Sequence, residues 1–296
     1  MNNFLVRSVQ REDFESISRL IAEQNKNPQT HCIQSDTGER AQDIQREMLQ
    51  LDAESALCLV VAFQDDLLIG TLGSELDEEL GRGWARGPFV VAEADDWGTI
   101  ASALLQGLLD LLPPSIRWLD SFLNNANRRG NDFYLQHGFR QLRLAHVYAA
   151  ARPDQPRLLA NPLEPLQPQQ AQQFMALHEV VFPNTYATGQ RILDKLGQDH
   201  QVFVCTRQDE MLGYLYAAIE EGSGDGSVEF VGVRADARGQ GLGRQLLQTA
   251  LQWLFEVKQV PQVTLVVNDD LTNAQSLYES VGFKLKYTGV HARKEW

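Results

Sequence analysis

The feature that most constrains this chain is a short apolar run followed directly by a glycine- and arginine-rich loop and an amphipathic segment. The run covers Phe230 to Val233, the loop Arg234 to Gly243, and apolar residues then recur at helical spacing up to Leu254. Loop glycines let the backbone approach a ligand closely, and the first turn of a helix offers unpaired N–H donors and a positive dipole end. This order of elements predicts an anion-binding site.

The spacing of the loop glycines excludes two common anion sites. A nucleotide-binding P-loop requires Lys and then Ser or Thr after its last glycine, but Arg244 and Gln245 follow Gly243. A dinucleotide-binding fingerprint requires a third glycine at the position that Arg244 occupies. The pattern that remains, Arg238-x-x-Gly241-x-Gly243, resembles the loop with which the GNAT superfamily of N-acetyltransferases holds the pyrophosphate of acetyl-CoA.

A second motif further along the chain resembles the same family. The stretch from Val263 to Phe283 reads as a buried strand, a polar turn, a helix and a Gly-Phe ending. It is similar to the GNAT segment after the CoA loop, in which Asn-x-x-Ala-x-x-x-Tyr precedes Gly-Phe. The matching residues are Asn273, Ala274, Tyr278, Gly282 and Phe283.

The resemblance implies acetyl-CoA as the cosubstrate and requires no metal. It implies that Val231 and Val233 pair their backbone with the pantetheine arm, that the loop holds the pyrophosphate, and that Asn268 and Asn273 bond the cofactor or substrate or cap a helix. The residues implied to contact the cofactor are Val231, Gly232, Val233, Arg238, Gly239, Gln240, Gly241, Leu242, Gly243, Arg244, Asn268, Asn273 and Tyr278.

The resemblance also implies an acid and a base. Tyr278 stands at the family's position for the general acid, where a phenol of pKa ~10 protonates the leaving thiolate. Glu229 is the candidate general base, because some branches of the family use a strand Glu, often through water. It lies four residues before Val233, so the two-residue period of a strand predicts that its side chain shares a face with Val231 and Val233.

The sequence constrains the identity of the acceptor amine less than it constrains the cofactor. The family often places substrate contacts between the first two helices, here between Val181 and Gln190, where Asn184 and Tyr186 are candidates and a plain turn is the alternative. Glu220 is a further candidate for contacting the acceptor. Together with the adjacent Glu221 it is also an alternative general base. The acidic composition favours a cationic acceptor through electrostatic steering.

Composition narrows the classes of partner. The formal charge of −13 disfavours nucleic acid and anionic membranes, which both require a basic face. No apolar run approaches the ~18 residues of a membrane span, and the chain shows no signal-peptide block at its start. The three scattered cysteines indicate a reducing cytoplasm rather than a disulfide framework or zinc site.

The first half of the chain repeats the second. Aligning the two Gly-Phe pairs places Tyr134 on Tyr278 without a gap, and aligning the apolar helices places Asp96 on Arg238, Thr99 on Gly241 and Ala101 on Gly243. The loop of the first half has therefore lost two glycines, and Asp95 and Asp96 bring negative charge where a pyrophosphate would lie. The first copy is expected to be degenerate and the second intact.

The expected fold class is α/β (α+β), with two tandem GNAT domains, each a mixed, mostly antiparallel central sheet flanked by helices. The expected divisions are a degenerate domain over 1–152, a proline-rich linker over 153–162 and an acetyltransferase domain over 163–296 that begins with a strand near Leu163. Within the first domain, the pattern predicts a strand over 87–91 and a helix over 99–112.

The functional prediction is an acetyl-CoA-dependent N-acetyltransferase that acts on a primary amine of a small molecule, as a monomer or homodimer. Two alternatives stay open. One is a CoA-binding regulatory or sensing module without turnover, and the other is an acetyltransferase like the mycothiol synthase group, which is a tandem of this kind but is selected by no motif here.

Overall fold

The structure, a computed structural model, describes residues 4–35, 40–91, 94–156, 158–183, 185–220 and 223–296. Its strands are β1 (Leu5–Ser8), β2 (Leu57–Gln64), β3 (Leu67–Asp77), β4 (Arg82–Val90), β5 (Trp118–Asn124), β6 (Arg140–Ala151), β7 (His200–Arg207), β8 (Glu210–Ile219), β9 (Gly226–Val233), β10 (Gln262–Asn268) and β11 (Lys284–Glu295). Its helices are α1 (Phe14–Asn25), α2 (Ala41–Ala53), α3 (Ala94–Leu111), α4 (Arg128–Gln136), α5 (Ala171–Val181), α6 (Gly189–Lys195), α7 (Leu242–Gln252) and α8 (Thr272–Ser280).

The chain divides into two compact units. The first unit contains residues 1–145 together with Tyr287–Trp296, and the second contains His146–Lys286. This division differs from the sequence boundaries at two strands, because the end of β6 belongs to the second unit and most of β11 to the first. Strand pairing is non-local, so the local pattern around residue 287 holds no signal for this exchange.

In the first unit, the strands follow the order β1-β2-β3-β4-β5-β11. Neighbours are antiparallel except β4 and β5, which pair in parallel. The strand β11 pairs with β5 from Gly289 opposite Asn124 to Glu295 opposite Trp118. Apolar residues of α1, α2, α3 and α4 form one buried cluster with this sheet.

In the second unit, the strands follow the order β6-β10-β9-β8-β7. The β7–β8 and β8–β9 pairs are antiparallel and the β9–β10 pair is parallel. The helix α7 packs on one face, together with the buried side of α8, and α5 and α6 pack on the other. Both units therefore confirm the predicted fold class of mixed, mostly antiparallel sheets flanked by helices.

Several element bounds differ from the sequence predictions. The predicted strand at 87–91 begins at Arg82, and the predicted helix at 99–112 begins at Ala94. The strand expected near Leu163 is not formed as a regular element; instead, Pro165 makes an isolated antiparallel bridge with Phe203. Within the described ranges, none of the helices combines the length and apolar composition needed to cross a membrane.

Candidate active site

The glycine- and arginine-rich loop lies between β9 and α7 as predicted. Gly239 and Gly241 have φ of +77° and +81°, a left-handed backbone that favours glycine, and a Cβ built on either would meet no atom within 4 Å. Gly241 is the N-cap of α7, and its carbonyl oxygen accepts the first hydrogen bond of the helix, from the N–H of Gln245. The N–H groups between these two residues have no partner within the helix and can therefore bind a ligand. These features fit a pyrophosphate.

Contacts beneath the loop fix its position. Leu242 is buried against Cys205, Leu212 and Ala237, and the amide oxygen of Gln240 accepts a hydrogen bond from Arg207 at 3.1 Å.

Two arginines of the loop are exposed. Arg238 donates through Nε to the carbonyl oxygen of Val233 at 3.2 Å, and Arg244 follows in the first turn of α7. Both cations thus lie on the exposed side of the helix start, where they suit an anionic ligand.

The strands β9 and β10 separate ahead of this loop. Their parallel register runs from Gly226 opposite Val263 to Val228 opposite Leu265, and the pairing ends there. Beyond that point Val231 and Val233 remain paired with β8. An opening on the β10 side of Val231, Gly232 and Val233 is the place where an extended ligand arm would pair with the backbone.

A β-bulge at Glu229 changes the face of its side chain. On the partner strand β8, Tyr216 lies opposite Phe230 and the next residue lies opposite Val228, so Glu229 is the extra residue. The hydroxyl of Tyr186 donates a hydrogen bond to the Glu229 carboxylate, and the Tyr186 ring packs on Phe230 at 5.2 Å. Glu229 therefore lies on the side of Phe230, which packs with α5 and α6.

The prediction that the side chain of Glu229 shares a face with Val231 and Val233 is therefore wrong. Val231 and Val233 pack with the α7 cluster on the opposite face. The bulge interrupts the alternation between Val228, which also packs with α7, and Phe230.

The segment before α6 is held in place over Glu229. His178 Nε2 donates to the carbonyl oxygen of Ala187 at 2.7 Å, and Arg191 Nη1 donates to that of Tyr186 at 3.1 Å. Because Nε2 of His178 carries the proton, Nδ1 accepts from the Tyr214 hydroxyl at 2.6 Å. Burial lowers the pKa of His178, so this imidazole is neutral and links the segment before α6 to β8 through its two hydrogen bonds.

Tyr278 lies on the other face, with α7. Its side chain is buried and packs near Tyr148 and Phe283, with ring centroids 6.3 and 6.2 Å away. Burial raises the pKa of Tyr278 to about 12, so the phenol stays protonated near neutral pH. Its neighbour Leu277 reaches the start of α7, since a Cβ on Gly243 would come within 3.0 Å of Leu277.

Only some of the remaining predicted site residues lie in the described part of the chain. Asn268 ends β10, and its carbonyl oxygen, rather than its side chain, accepts the N–H of Leu271 before α8. Glu220 follows β8 and accepts from Thr264 Oγ1 at 3.5 Å. The side chain of Asn273 and the whole of Asn184 lie outside the described residues, as does Glu221.

Two residues near Glu229, Tyr216 and His200, belong to no motif in the sequence. Tyr216 lies next to the bulge, its hydroxyl is 2.8 Å from His200 Nδ1, and its pKa rises to about 12 through burial and then through the charge of Glu229. The alternation of Tyr214 and Tyr216 along a strand was the available signal, because the period of two places both on one face.

The corresponding opening in the first unit is filled by its own chain. The parallel pairing of β4 and β5 ends at Ala85 opposite Ser121. Just beyond, the Gly87 N–H donates to the sulfur of Cys32 at 3.3 Å, while Cys32 also bridges Leu123 on β5. Cys32 is 1% exposed and therefore plugs the gap between the strands.

A cavity of about 180 Å³ lies elsewhere in the second unit. It is lined mainly by one side of α7 and the end of α8, including Gln248, Leu251, Phe255 and Val281. No predicted site residue lines it. Within the part of the chain that is described, no group of three or more His, Cys, Asp or Glu side chains is arranged to hold a metal ion.

Sequence comparisons match part of the chain to known proteins. Residues 171–283 match the model of the Acetyltransferase (GNAT) family. A curated protein of Streptomyces avermitilis, named mycothiol acetyltransferase, is 34% identical over 93 residues, which is 31% of this chain and 30% of that protein. Another of the same name, from Kocuria rhizophila, is 36% identical over 89 residues, or 29% of each chain. The match thus spans less than a third of the length of these relatives.

Comparisons of structure extend over both units. A GCN5-related N-acetyltransferase from Sphaerobacter thermophilus superposes with a TM-score of 0.74 at 23% identity, covering 100% of this chain and 96% of the other. A tandem GNAT protein from the clavulanic acid biosynthesis pathway gives 0.68 at 13% identity, covering 99% and 98%. These similarities show that both units share the fold of those solved structures, and the sequence match shows that residues 171–283 are similar to the Acetyltransferase (GNAT) family.

Proposed function

We propose that this protein transfers the acetyl group of acetyl-CoA to a primary amine of a small molecule, using the second unit. One arrangement carries the proposal: the loop with left-handed Gly239 and Gly241 follows directly on a strand that has separated from its parallel neighbour and bears Glu229 at its bulge. An anion cradle, an opening for an extended arm and a carboxylate thus follow one another along a single segment.

The residues of the loop fit acetyl-CoA. Gly239 and Gly241 leave open space above the backbone, and the N–H groups of Leu242, Gly243 and Arg244 begin a helix. Arg238 and Arg244 would neutralise the pyrophosphate, and the β10-side edge of Val231 and Val233 would pair with the pantetheine arm. Acetyl-CoA supplies the activated acetyl group and a thiolate leaving group.

Glu229 would accept the proton that the acceptor ammonium must lose before it can attack. Its carboxylate is half-buried and already accepts a hydrogen bond from Tyr186, so a donor can reach it from the α5 and α6 side. An ammonium is a stronger donor to a carboxylate than a phenol is, because the bond is then assisted by charge on both partners. The acceptor would therefore enter beside Tyr186.

Tyr278 would serve the leaving group from the opposite face. A buried phenol with a pKa of about 12 is fully protonated at neutral pH, so it can donate a hydrogen bond to the departing sulfur. The base and the acid thus lie on opposite faces of the sheet, with the opening between β9 and β10 separating them.

We propose a class of acceptor, cationic small-molecule amines, rather than a single compound. The name of the curated relatives makes the mycothiol acetyltransferase reaction one candidate. The net charge of −13 favours a cationic small-molecule acceptor over nucleic acid or membrane, and we propose a cytoplasmic monomer or homodimer.

The test is release of free CoA thiol during incubation with acetyl-CoA and a panel of primary amines. We expect turnover with at least one amine and a decrease in kcat of ~10²–10⁴ in Glu229→Gln, the usual contribution of a positioned base. Glu164→Gln, an exposed acid beside β7, is the matched control and should retain full activity. Binding of acetyl-CoA without thiol release across the panel would instead indicate a binding module.

A further inference from the structure

We propose that His178, with its orientation fixed by Tyr214, is a positioning residue for the proposed base Glu229. The inference rests on the proposed function and deepens it, because it names the residues that hold the acceptor side of the site in place. His178 and Tyr214 are both completely buried, so neither touches a ligand. His178 acts through Tyr186, whose hydroxyl donates a hydrogen bond to the Glu229 carboxylate.

The hydrogen bonds of this pair have one direction. The carbonyl oxygen of Ala187 can only accept, so its contact of 2.7 Å with His178 fixes the imidazole proton on Nε2. Nδ1 is then an acceptor, and the Tyr214 hydroxyl 2.6 Å away donates to it. Both ring nitrogens and the phenol proton are thus used within the protein, and the chain of bonds ends on the backbone next to Tyr186.

The ring of Phe230 gives His178 a second route to Glu229. Phe230 follows the bulge residue in β9, and it packs against the rings of His178 and Tyr186 at centroid distances of 5.0 and 5.2 Å. A bulge residue has no partner directly opposite on the neighbouring strand, so the packing of the residue beside it limits how it can turn. His178 therefore supports both ends of the hydrogen bond between Tyr186 and Glu229.

Tyr214 anchors this support on the strand that bears the base. It lies opposite Gly232 in the β8–β9 register. A Cβ added to Gly232 would come within 2.8 Å of Tyr214 Cε1, closer than real Cβ atoms approach another atom, so the ring rests directly on the β9 backbone. The support thus extends from β9 through Tyr214 and His178 to the segment before α6.

A general base needs this kind of placement. It acts only within hydrogen-bond reach of the proton that it removes, ~2.6–3.2 Å between heavy atoms, and a displacement of ~1 Å can reduce the rate ~10²-fold. Tyr186 is 44% exposed, so water competes for its hydroxyl, and the fixed backbone beside it keeps that hydroxyl on Glu229. Loss of the His178 bond to Ala187 should therefore lower kcat. The Kd of acetyl-CoA should not change, because the cofactor cradle lies in the loop after β9, whereas His178 supports the segment before α6.

Substitutions of His178 separate its two hydrogen bonds. Glutamine places its amide N–H near the position of Nε2, so His178→Gln retains a donor to Ala187. Asparagine reaches only the position of Nδ1, so His178→Asn retains an acceptor for Tyr214 and loses the bond to Ala187. With the best amine found by CoA thiol release, we expect kcat to fall at least ~10-fold in His178→Asn and to stay within ~3-fold of wild type in His178→Gln, at unchanged Kd for acetyl-CoA.

Tyr214→Phe tests the orientation of the imidazole. Without the Tyr214 hydroxyl, Nδ1 of His178 is a buried acceptor without a donor, which favours a turn of the ring away from Ala187. We expect kcat to fall in Tyr214→Phe and to return to within ~3-fold of wild type in the double variant Tyr214→Phe/His178→Gln, because glutamine has no atom at the Nδ1 position that needs a donor. A pair that contributes only stability predicts the opposite, since the second substitution would add to the loss.

Hydrogen exchange gives a second readout that does not need turnover. The amides of residues 186–192 cover the segment that His178 supports and the first turn of α6. Their exchange should be faster in His178→Asn and Tyr214→Phe than in the wild type, and unchanged in His178→Gln. Val260→Ala, at a buried position in the core on the α7 side, is the matched control, because it lowers the stability of the same unit and should change neither kcat nor this exchange.

The two readouts distinguish failure of the inference from failure of the function. If at least one amine is acetylated, equal kcat values in His178→Asn and His178→Gln, or no restoration of Tyr214→Phe by His178→Gln, overturn the positioning role and leave the acetyltransferase intact. If no amine is acetylated, the proposed function fails and exchange alone decides. Faster exchange in His178→Asn but not in His178→Gln then supports the role of His178 in holding the segment, and equal exchange in the two variants overturns it.

Discussion

The hydroxyl of Tyr134 donates a hydrogen bond to the carbonyl oxygen of Gly87 at 2.8 Å. Tyr134 is the counterpart of Tyr278 in the repeat, and Gly87 lies just past the end of the parallel pairing between β4 and β5. In the first unit, the tyrosine and the strand therefore satisfy each other, while Cys32 fills the adjacent gap. If the second unit binds acetyl-CoA as proposed, its corresponding positions must remain available to the cofactor.

The first prediction is that the chain binds one acetyl-CoA. The gap of the first unit is occupied by Cys32, whereas the loop of the second unit is open at Gly239 and Gly241. Calorimetric titration should give a stoichiometry of one. Gly241→Asp should abolish binding, because it combines a strained φ with a negative charge at the pyrophosphate site.

The matched control for this titration lies in the first unit. Thr99, the exposed counterpart of Gly241, can be replaced in Thr99→Asp without effect on binding. A stoichiometry of two, reduced to one by Thr99→Asp, would show that the first unit binds the cofactor after all.

The second prediction concerns Tyr278 as the acid. Tyr278→Phe keeps the buried ring beside Phe283 and removes only the hydroxyl. We expect kcat to decrease ~10²–10⁴-fold with little change in the Kd of acetyl-CoA, because a group used only in the transition state does not contribute to ground-state binding. Tyr134→Phe is the matched control and should leave kcat unchanged. Normal turnover with weakened cofactor binding would make Tyr278 a binding residue.

The third prediction follows from the pKa of about 12 that burial gives to Tyr278. A phenol of ordinary pKa, ~10, would lose most of its proton by pH ~10.5 and would produce a falling alkaline limb. At a pKa of about 12 the phenol remains protonated there. The kcat of the wild-type protein, measured at saturating substrates between pH ~8 and ~10.5, should therefore show no decrease with an apparent pKa near the ordinary value of ~10.

Much of the candidate site is encoded in local sequence. The strand, the glycine loop and α7 follow one another along one short stretch of chain, and both glycine geometry and apolar spacing are local properties. The position of Gly241 at the start of α7 and that of Tyr278 on α8 could therefore be predicted from the sequence alone.

What escaped prediction depends on distant pairing. The side of the sheet that Glu229 faces is decided by its register with Tyr216 on β8, since a single extra residue in β9 reverses the alternation. The plug at Cys32 is similarly determined by β4 and β5, which lie far away along the chain. Neither contact leaves a periodic signal around the residue itself.

The exchange of β11 raises the question of what holds this strand in the first unit. Asp120 on β5 is completely buried, and its carboxylate accepts from Arg293 of β11 at 2.7 and 2.9 Å and from Arg82 of β4 at 2.6 Å. Burial opposes ionisation of Asp120, but the imidazole of His291 at 3.1 Å, the hydrogen bonds from Arg293 and the charge of Arg82 outweigh it and lower its pKa to about 2. One carboxylate thus joins three strands.

The last prediction is that Asp120→Asn destabilises the first unit by ~3–5 kcal/mol, because it leaves two largely buried arginines without their anion. Glu15→Gln, which removes an exposed ion pair with Arg19, is the matched control and should cost less than ~1 kcal/mol.

Since the pKa of Asp120 is lower in the folded chain than the ordinary 3.8, its charge stabilises the fold above pH ~4, and this contribution, about 2 kcal/mol, is lost as the pH falls towards 2. Urea denaturation of both variants at pH ~7, ~4 and ~2.5 measures the two effects together. The Asn variant should lack this part of the acid dependence, and a loss below ~1 kcal/mol at neutral pH would mean that strand pairing alone retains β11.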